Sequence, residues 1–391
     1  MAEMNFFGAS LRERQRRQQR DEGLHPLYFS CVVCCLFVLL TLIPQQAQAA
    51  RAITDAAGRR VTIADQVERV ICSGPGCLRL LTYLQAEDRI VAVDSIELGN
   101  APIDARPYAI ANPQFASYPL FGQFRGRDNP ELIAALQPQP QVIFKTYAGQ
   151  DAERLQAKTG IPVITLEYGN LTYGRSHLEH ALRLMAAVLG RKERAEEVLA
   201  FFTAMEEDLH RRTSTIPAAE RPSCYVGGLG QRGPQGFQST EPSFAPFVFT
   251  GTENIAAVPP GGRPLSHAVL AKEFIVRRDP QVIFVDLSTM GLAAGSNALD
   301  ELGDDAAYQA LSALRTSRVY GLFPYNSYTQ NFETIFANAY YVGKVLYPRH
   351  FADIEPLARA EEISLFLNGA RAFALLQAQY GGLPFSRLEL R

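Results

Sequence analysis

The sequence predicts an α/β protein of two Rossmann-like lobes with mostly parallel sheets, joined by a long backbone helix. Three observations lead there. Short apolar runs alternate with amphipathic stretches in both halves of the chain. Between the halves, over 176–213, apolar residues recur at helical spacing with no strand signal. Gln141-Val142-Ile143-Phe144, after Pro140, returns as Gln281-Val282-Ile283-Phe284, after Pro280. That is a weak internal repeat, one copy per half.

The elements follow in order. Arg12, Arg14, Arg16, Arg17 and Arg20 precede 16 uncharged residues (28–43), then Pro44 and Ala47-Gln48-Ala49. This is the layout of a secretory signal over 1–49, cut near Ala49, and the run is short for a membrane-spanning helix. A retained anchor is the other reading. The N-terminal lobe is expected over 50–175. Its strands are 69–72, 89–93, 141–144 and 161–166. Its helices are 78–84, 130–136 with Asn129 as N-cap, and 152–158. The connecting helix is expected over 176–213, with a joint at Gly190. The C-terminal lobe, 214–391, has strands at 224–227, 281–285 and 318–321. Helices are expected from Ser266, as N-cap, and over 332–346.

Composition narrows the function. The chain carries a formal net charge of −2, so no polybasic surface points to nucleic acid. Beyond the signal, Cys72, Cys77 and Cys224 remain, an odd number and no disulfide framework. Buried free thiols are the preferred reading and a Cys72–Cys77 bridge the alternative. No G-x-S-x-G, H-E-x-x-H or carboxylate pair signals catalysis. His177 and His180 share a helix face, but no Cys or His elsewhere completes a metal-ligand spacing. Ser73-Gly74-Pro75-Gly76 lacks the features of a nucleotide loop and reads as a tight strand-to-helix turn.

Ligands of open α/β sheets bind outside the carboxyl ends of the strands. The loops at those ends carry Tyr147, Tyr168 and Tyr173 in the first half, and Arg232, Gln238, Tyr325, Asn326 and Tyr328 in the second. Arg79, on the first turn after the glycine turn, either meets a ligand carboxylate or extends over the surface. Tyrosine offers a flat apolar face with a hydroxyl tip. The expected cleft is therefore rich in aromatic and amide groups.

At these residues the chain resembles the periplasmic binding proteins of iron-siderophore, cobalamin and haem ABC importers. The stretch from Ile53-Thr54-Asp55 through Val70-Ile71 is similar to that family's first strand pair. Asn129-Pro130-Glu131-Leu132 with Pro140-Gln141-Val142-Ile143, and Gly251-Thr252-Glu253-Asn254, resemble two further family stretches. The resemblance implies a rigid helix between two lobes, small closure on binding, and docking to an inner-membrane permease. Many members carry a Glu on the first helix of each lobe that pairs with the permease; Arg79 stands near that place here.

The expected function is capture of a metal chelate (iron-siderophore-like) or a corrinoid in the interlobe cleft. Arg232, Gln238 and Asn326 are the expected polar anchors. The protein is expected to be a periplasmic monomer without cofactor, catalysis or protein-ligated metal. The alternatives are a free metal ion, which needs His177 or His180 in the cleft, and a sensor or enzyme on the same scaffold.

Overall fold

A computed structural model describes residues 50–99, 103–147, 151–259 and 261–390. The expected export signal lies outside them. β1 (Ala50–Thr54) and β2 (Arg60–Ala64) form an antiparallel hairpin. Its turn is organised by Asp55, whose carboxylate accepts from the backbone N–H of Ala57 and Arg59 and from the Arg59 guanidinium at 2.6 Å. It also accepts the Thr165 N–H at 3.2 Å, tying the hairpin to the lobe behind it.

The first lobe continues with β3 (Val70–Ser73), α1 (Cys77–Tyr83), β4 (Ile90–Asp94), β5 (Leu120–Gln123) and β6 (Arg127–Asp128). Then come α2 (Pro130–Ala135), β7 (Val142–Thr146), α3 (Asp151–Thr159) and β8 (Val163–Leu166). The sheet order is β6-β5-β4-β3-β7-β8, parallel except for β5–β6. β3, β7 and β8 are buried along their whole length, as strands covered on both faces must be. Asn129 caps α2 as expected, accepting the N–H groups of Glu131 and Leu132 at 3.0 Å.

The expected connecting stretch is two helices. α4 (Arg175–Leu189) ends at Gly190, which takes φ 68°, and α5 (Lys192–Thr213) follows. Gly190 is more than a joint: it reverses the chain. Arg183 donates to Glu196 at 2.8 Å, and Arg175 near the start of α4 pairs with Glu206 near the end of α5. The two helices therefore lie antiparallel. α5 alone is the long backbone helix leading to the second lobe, roughly 33 Å at 1.5 Å per residue.

The second lobe holds β9 (Ser223–Gly227), β10 (Ser239–Thr240), α6 (Ala245–Thr250), β11 (Glu253–Asn254), β12 (Ala268–Val269), α7 (Lys272–Arg278), β13 (Val282–Asp286), α8 (Ala298–Asp304) and β14 (Val319–Leu322). α9 (Phe332–Leu346), α10 (Pro356–Asn368) and α11 (Phe373–Gln379) complete it. Its main sheet is β11-β9-β13-β14, all parallel. One expectation is corrected here. Ser266 caps no helix, because Ala268 and Val269 pair with Thr240 and Ser239, and the helix starts at Lys272. The long-range β10–β12 pairing overrides the local helical pattern.

The repeated Gln-Val-Ile-Phe motif has a structural meaning. The Gln141 side-chain oxygen accepts the N–H of Glu68 at 2.7 Å, and the Gln141 backbone N–H donates to Arg69 O, beside β3. Gln281 does the same at the start of β9, accepting the N–H of Ser223 at 3.1 Å and donating to Ser223 O. Each Gln thus sets the register of a central parallel pair. One large hydrophobic cluster runs through both lobes, beside smaller clusters within each. Tyr83 of α1, Phe202 of α5 and Phe332 of α9 meet with ring centroids 6.1 to 6.4 Å apart, and Tyr168 stacks on Phe332 at 5.1 Å. Cys72, Cys77 and Cys224 are buried free thiols, so no bridge joins Cys72 and Cys77.

Candidate functional site

The strand order places a crevice in each lobe where neighbouring connections run in opposite directions. In the first lobe it lies beyond β3 and β7, at Ser73-Gly74-Pro75-Gly76 and Thr146-Tyr147. In the second it lies beyond β9 and β13, at Gly228 and Asp286-Leu287-Ser288. The glycines of the first turn are required. Gly74 and Gly76 have φ of 89° and 77°, and a Cβ would stand 2.7 Å from Thr146 Oγ1 and 2.1 Å from Tyr168 Cε2.

A loop from the second lobe crosses into the first. Residues 323–331, between β14 and α9, seat on the strand ends of the N-terminal lobe. Arg79, fully buried, donates from Nη1 to Tyr168 Oη at 2.6 Å and to Gln330 O at 2.8 Å, and from Nη2 to Ser327 O at 3.1 Å. Tyr168 Oη in turn donates to Gln330 O at 2.7 Å. Tyr328 Oη donates to Asp94 at 2.6 Å and accepts the Arg125 N–H at 2.9 Å. Tyr147 Oη and Thr329 Oγ1 lie 3.3 Å apart. Within the loop, Asn331 Nδ2 donates to the carbonyls of Tyr325 and Ser327. Tyr328 and Thr329 adopt φ of 51° and 67°, a left-handed conformation held by these surrounding contacts.

Carboxylates under the loop are engaged and buried. Tyr325 Oη donates to Glu241, and burial pushes the Glu241 carboxyl up to about 7. Burial likewise lifts Asp286 to about 7, and raises Asp94 despite the Tyr328 hydrogen bond. Lys145 pairs with Asp128 at 2.5 Å, and Asp128 also accepts from Ser73 Oγ at 2.6 Å. Cationic groups at the edges are exposed. Arg125 of the first lobe reaches Arg232 O of the second at 3.4 Å, and both residues face solvent. A groove of about 360 Å³ is lined by Tyr173 from the first lobe and by Arg263, Pro264, Leu265, Ser266 and His267 from the second.

The sequence-derived site residues divide accordingly. Tyr147 and Tyr173 are 65% and 51% exposed, Arg232 is exposed, and Tyr328 is half-buried at the lobe contact. Arg79, Tyr168 and Tyr325 are buried and bonded, so Arg79 neither extends over the surface nor stands where a docking partner reaches it. Gln238 donates to Leu270 O at 2.7 Å, and Asn326 donates to Gly230 O at 2.7 Å, so one N–H of each amide is bonded within the second lobe. His177 pairs with Glu167 at 2.5 Å, and His177 and His180 are both exposed. Among the described residues no group of three or more His, Cys, Asp and Glu is arranged to hold a metal. Arg125, Arg263, His267 and Glu241 were not singled out from the sequence. The Gly/Pro-rich stretch just before Arg263 and Pro264 was the one available signal for the groove.

Three relatives share this architecture. The molybdate-binding protein MolA of Haemophilus influenzae is 23% identical over 351 residues, covering 83% of this chain and 92% of its own. Its molybdate-bound structure superposes with a TM-score of 0.63 at 20% identity, over 82% of this chain and 98% of that one. A periplasmic solute binding protein of Veillonella parvula gives 0.64 at 17% identity, covering 86% and 97%. The periplasmic haem binding protein HutB of Vibrio cholerae gives 0.52 at 16%, covering 72% and 99%. At such identities the superpositions establish a shared fold. No described helix is long and apolar enough to cross a membrane. The family model for periplasmic binding proteins matches residues 70–325, and the chain belongs to that family, as a substrate-binding component of an ABC importer.

Proposed function

We propose that the chain is an exported, periplasmic binding protein that captures a compact anionic metal species between its lobes and delivers it to an inner-membrane permease. The observation that carries this reading is the charge at the lobe edges. Arg125, Arg232 and Arg263 are exposed, while the carboxylates of Asp94, Asp128 and Glu241 are engaged by Tyr328, Lys145 and Tyr325. An anion entering there gains charge-assisted hydrogen bonds without breaking an existing pair. Tyr147 and Tyr173 supply exposed ring faces with hydroxyl tips.

Size favours a small cargo. A groove of about 360 Å³ lies at the low end of the roughly 300–1,000 Å³ range of ligand pockets. A metal oxyanion or small anionic chelate suits it better than a corrinoid or porphyrin. The relative named for molybdate supports the same class. A bare cation is disfavoured by the exposed arginines. Closure is expected to be small, since Tyr83, Phe202 and Phe332 join the lobes through a shared core.

Calorimetric titration tests the reading, with molybdate, tungstate and a ferric chelate as probes. Arg263→Glu is expected to weaken binding of the preferred probe about tenfold or more, the loss of one charge-assisted hydrogen bond of about 1.5–3 kcal/mol. Unchanged affinity removes the groove from the site. Native mass spectrometry of protein taken from its own periplasm identifies the cargo, and one equivalent of a bare divalent metal would sink the anionic reading.

A further inference from the structure

The groove contains a histidine whose proton positions follow from its neighbours. Ser239 is buried on β10, and its hydroxyl has one proton to give. Ser239 Oγ lies 2.7 Å from Leu229 O, which can only accept, so the proton points there. His267 Nε2 lies 3.0 Å from the same Oγ. With its proton committed, Ser239 accepts, and His267 Nε2 is the donor. Nε2–H is therefore present in both charge states of the ring, and Nδ1 is the nitrogen that titrates. No hydrogen bond to Nδ1 occurs among the described residues.

A neutral His267 thus offers a lone pair, which opposes the oxygen of an incoming anion. Protonated, it offers an N–H and a positive charge beside Arg263. We infer that anion capture in the Tyr173–Arg263–His267 groove is coupled to protonation of His267, so that the protein takes up a proton together with its ligand. This rests on the anionic reading above and gives that site its acid–base chemistry. The groups around His267 leave the ligand as the partner for that proton. Its own loop contributes the cation Arg263, the facing lobe contributes Tyr173, and β10 contributes the neutral Ser239. Glu241, two residues beyond Ser239, is buried and bonded to Tyr325; its carboxyl, pushed up to about 7 by burial, titrates over the same range and is common to the wild type and the His267→Gln variant. Burial lowers the His267 pKa, which favours the uncharged ring at neutral pH before a ligand enters. An anion in the groove supplies the negative charge that reverses this preference.

The test is calorimetric titration with molybdate and with tungstate from about pH 6 to about pH 8, the range in which a histidine titrates. Repeating it in two buffers of different ionisation enthalpy counts the protons taken up. The wild-type protein is expected to bind about five- to tenfold more tightly at the acid end, with net proton uptake. His267→Gln offers an amide N–H to Ser239 without titrating, and is expected to lose both the slope and the uptake while keeping its thermal midpoint. Binding with the same pH slope in wild type and His267→Gln overturns the coupling and leaves the anionic reading intact. Absence of binding by either oxyanion or by the ferric chelate at every pH overturns the anionic reading itself.

Discussion

Replacing Arg79 by methionine is expected to lower the unfolding midpoint by about 5 °C. The guanidinium is fully buried and donates to Tyr168 Oη, Gln330 O and Ser327 O. Hydrogen bonds to a charged group contribute about 1.5–3 kcal/mol each, and loss of the donor leaves buried acceptors unpaired. Two terms reduce the total. Gln330 O keeps its bond from Tyr168, and Arg79 Nε has no partner among the described residues, so the wild type already carries one unmet donor. A net loss of about 4 kcal/mol is reasonable. At about 2.1 cal/mol/K of unfolding entropy per residue, that is about 5 °C for a chain of this size. Scanning calorimetry measures it. The double variant with Tyr168→Phe should fall short of the sum of the singles, because the Arg79–Tyr168 hydrogen bond is lost in each single and so is counted twice in their sum. A midpoint within about 1 °C of wild type, or strict additivity, would show that the loop over 323–331 is held by other contacts.

Much of the fold was readable because its signals are local. Four-residue apolar runs bounded by Gly, Pro or Asp marked the buried parallel strands, and Asn129-Pro130 marked a capped helix start. The repeated Gln was visible as a letter, and its role became visible only when each was seen to clamp the neighbouring strand. Local reading failed where a distant segment decided the outcome. Ser266 looked like a helix cap, yet the residues after it pair with Ser239 and Thr240, far away in sequence. Arg79 looked like a surface or ligand group because arginine is rarely buried. Its burial depends on carbonyls some 250 positions later, at Ser327 and Gln330. The tyrosines illustrate the same limit. Their position in loops after the strands placed them all near the expected cleft, but only the packing separates the buried Tyr168 and Tyr325 from the exposed Tyr147 and Tyr173. Arg263 and His267 lie in a stretch with no periodicity, and only the fold brings them to line a groove with Tyr173.

Glu241→Gln is expected to stabilise the protein at alkaline pH and to flatten its pH dependence. In the fold, burial pushes the Glu241 carboxyl up to about 7 from an ordinary 4.5, with the Tyr325 hydrogen bond opposing. A group whose folded pKa is raised binds its proton more tightly in the folded state. Its contribution to stability is therefore fully present below about pH 4.5 and is lost as pH rises through about 7. At 1.36 kcal/mol per unit, the loss is on the order of 3 kcal/mol. Asp286 behaves in the same direction for the same reason, and the two carboxyls repel each other when charged, so their effects do not simply add. Glutamine keeps an oxygen for Tyr325 Oη but cannot ionise. Urea unfolding at a series of pH values should find the variant more stable than wild type by about 2–3 kcal/mol near pH 8, with the gap closing near pH 4.5. Below that, both proteins should lose stability together, because Asp55 and Asp353 have folded pKa values below their ordinary ones and protonate there. A gap that persists unchanged at acid pH would mean that the substitution acts through packing around Tyr325 rather than through the buried charge. Such a result would also detach Glu241 from any electrostatic role beneath the interlobe loop, because a carboxyl that stays neutral at every working pH carries no charge there.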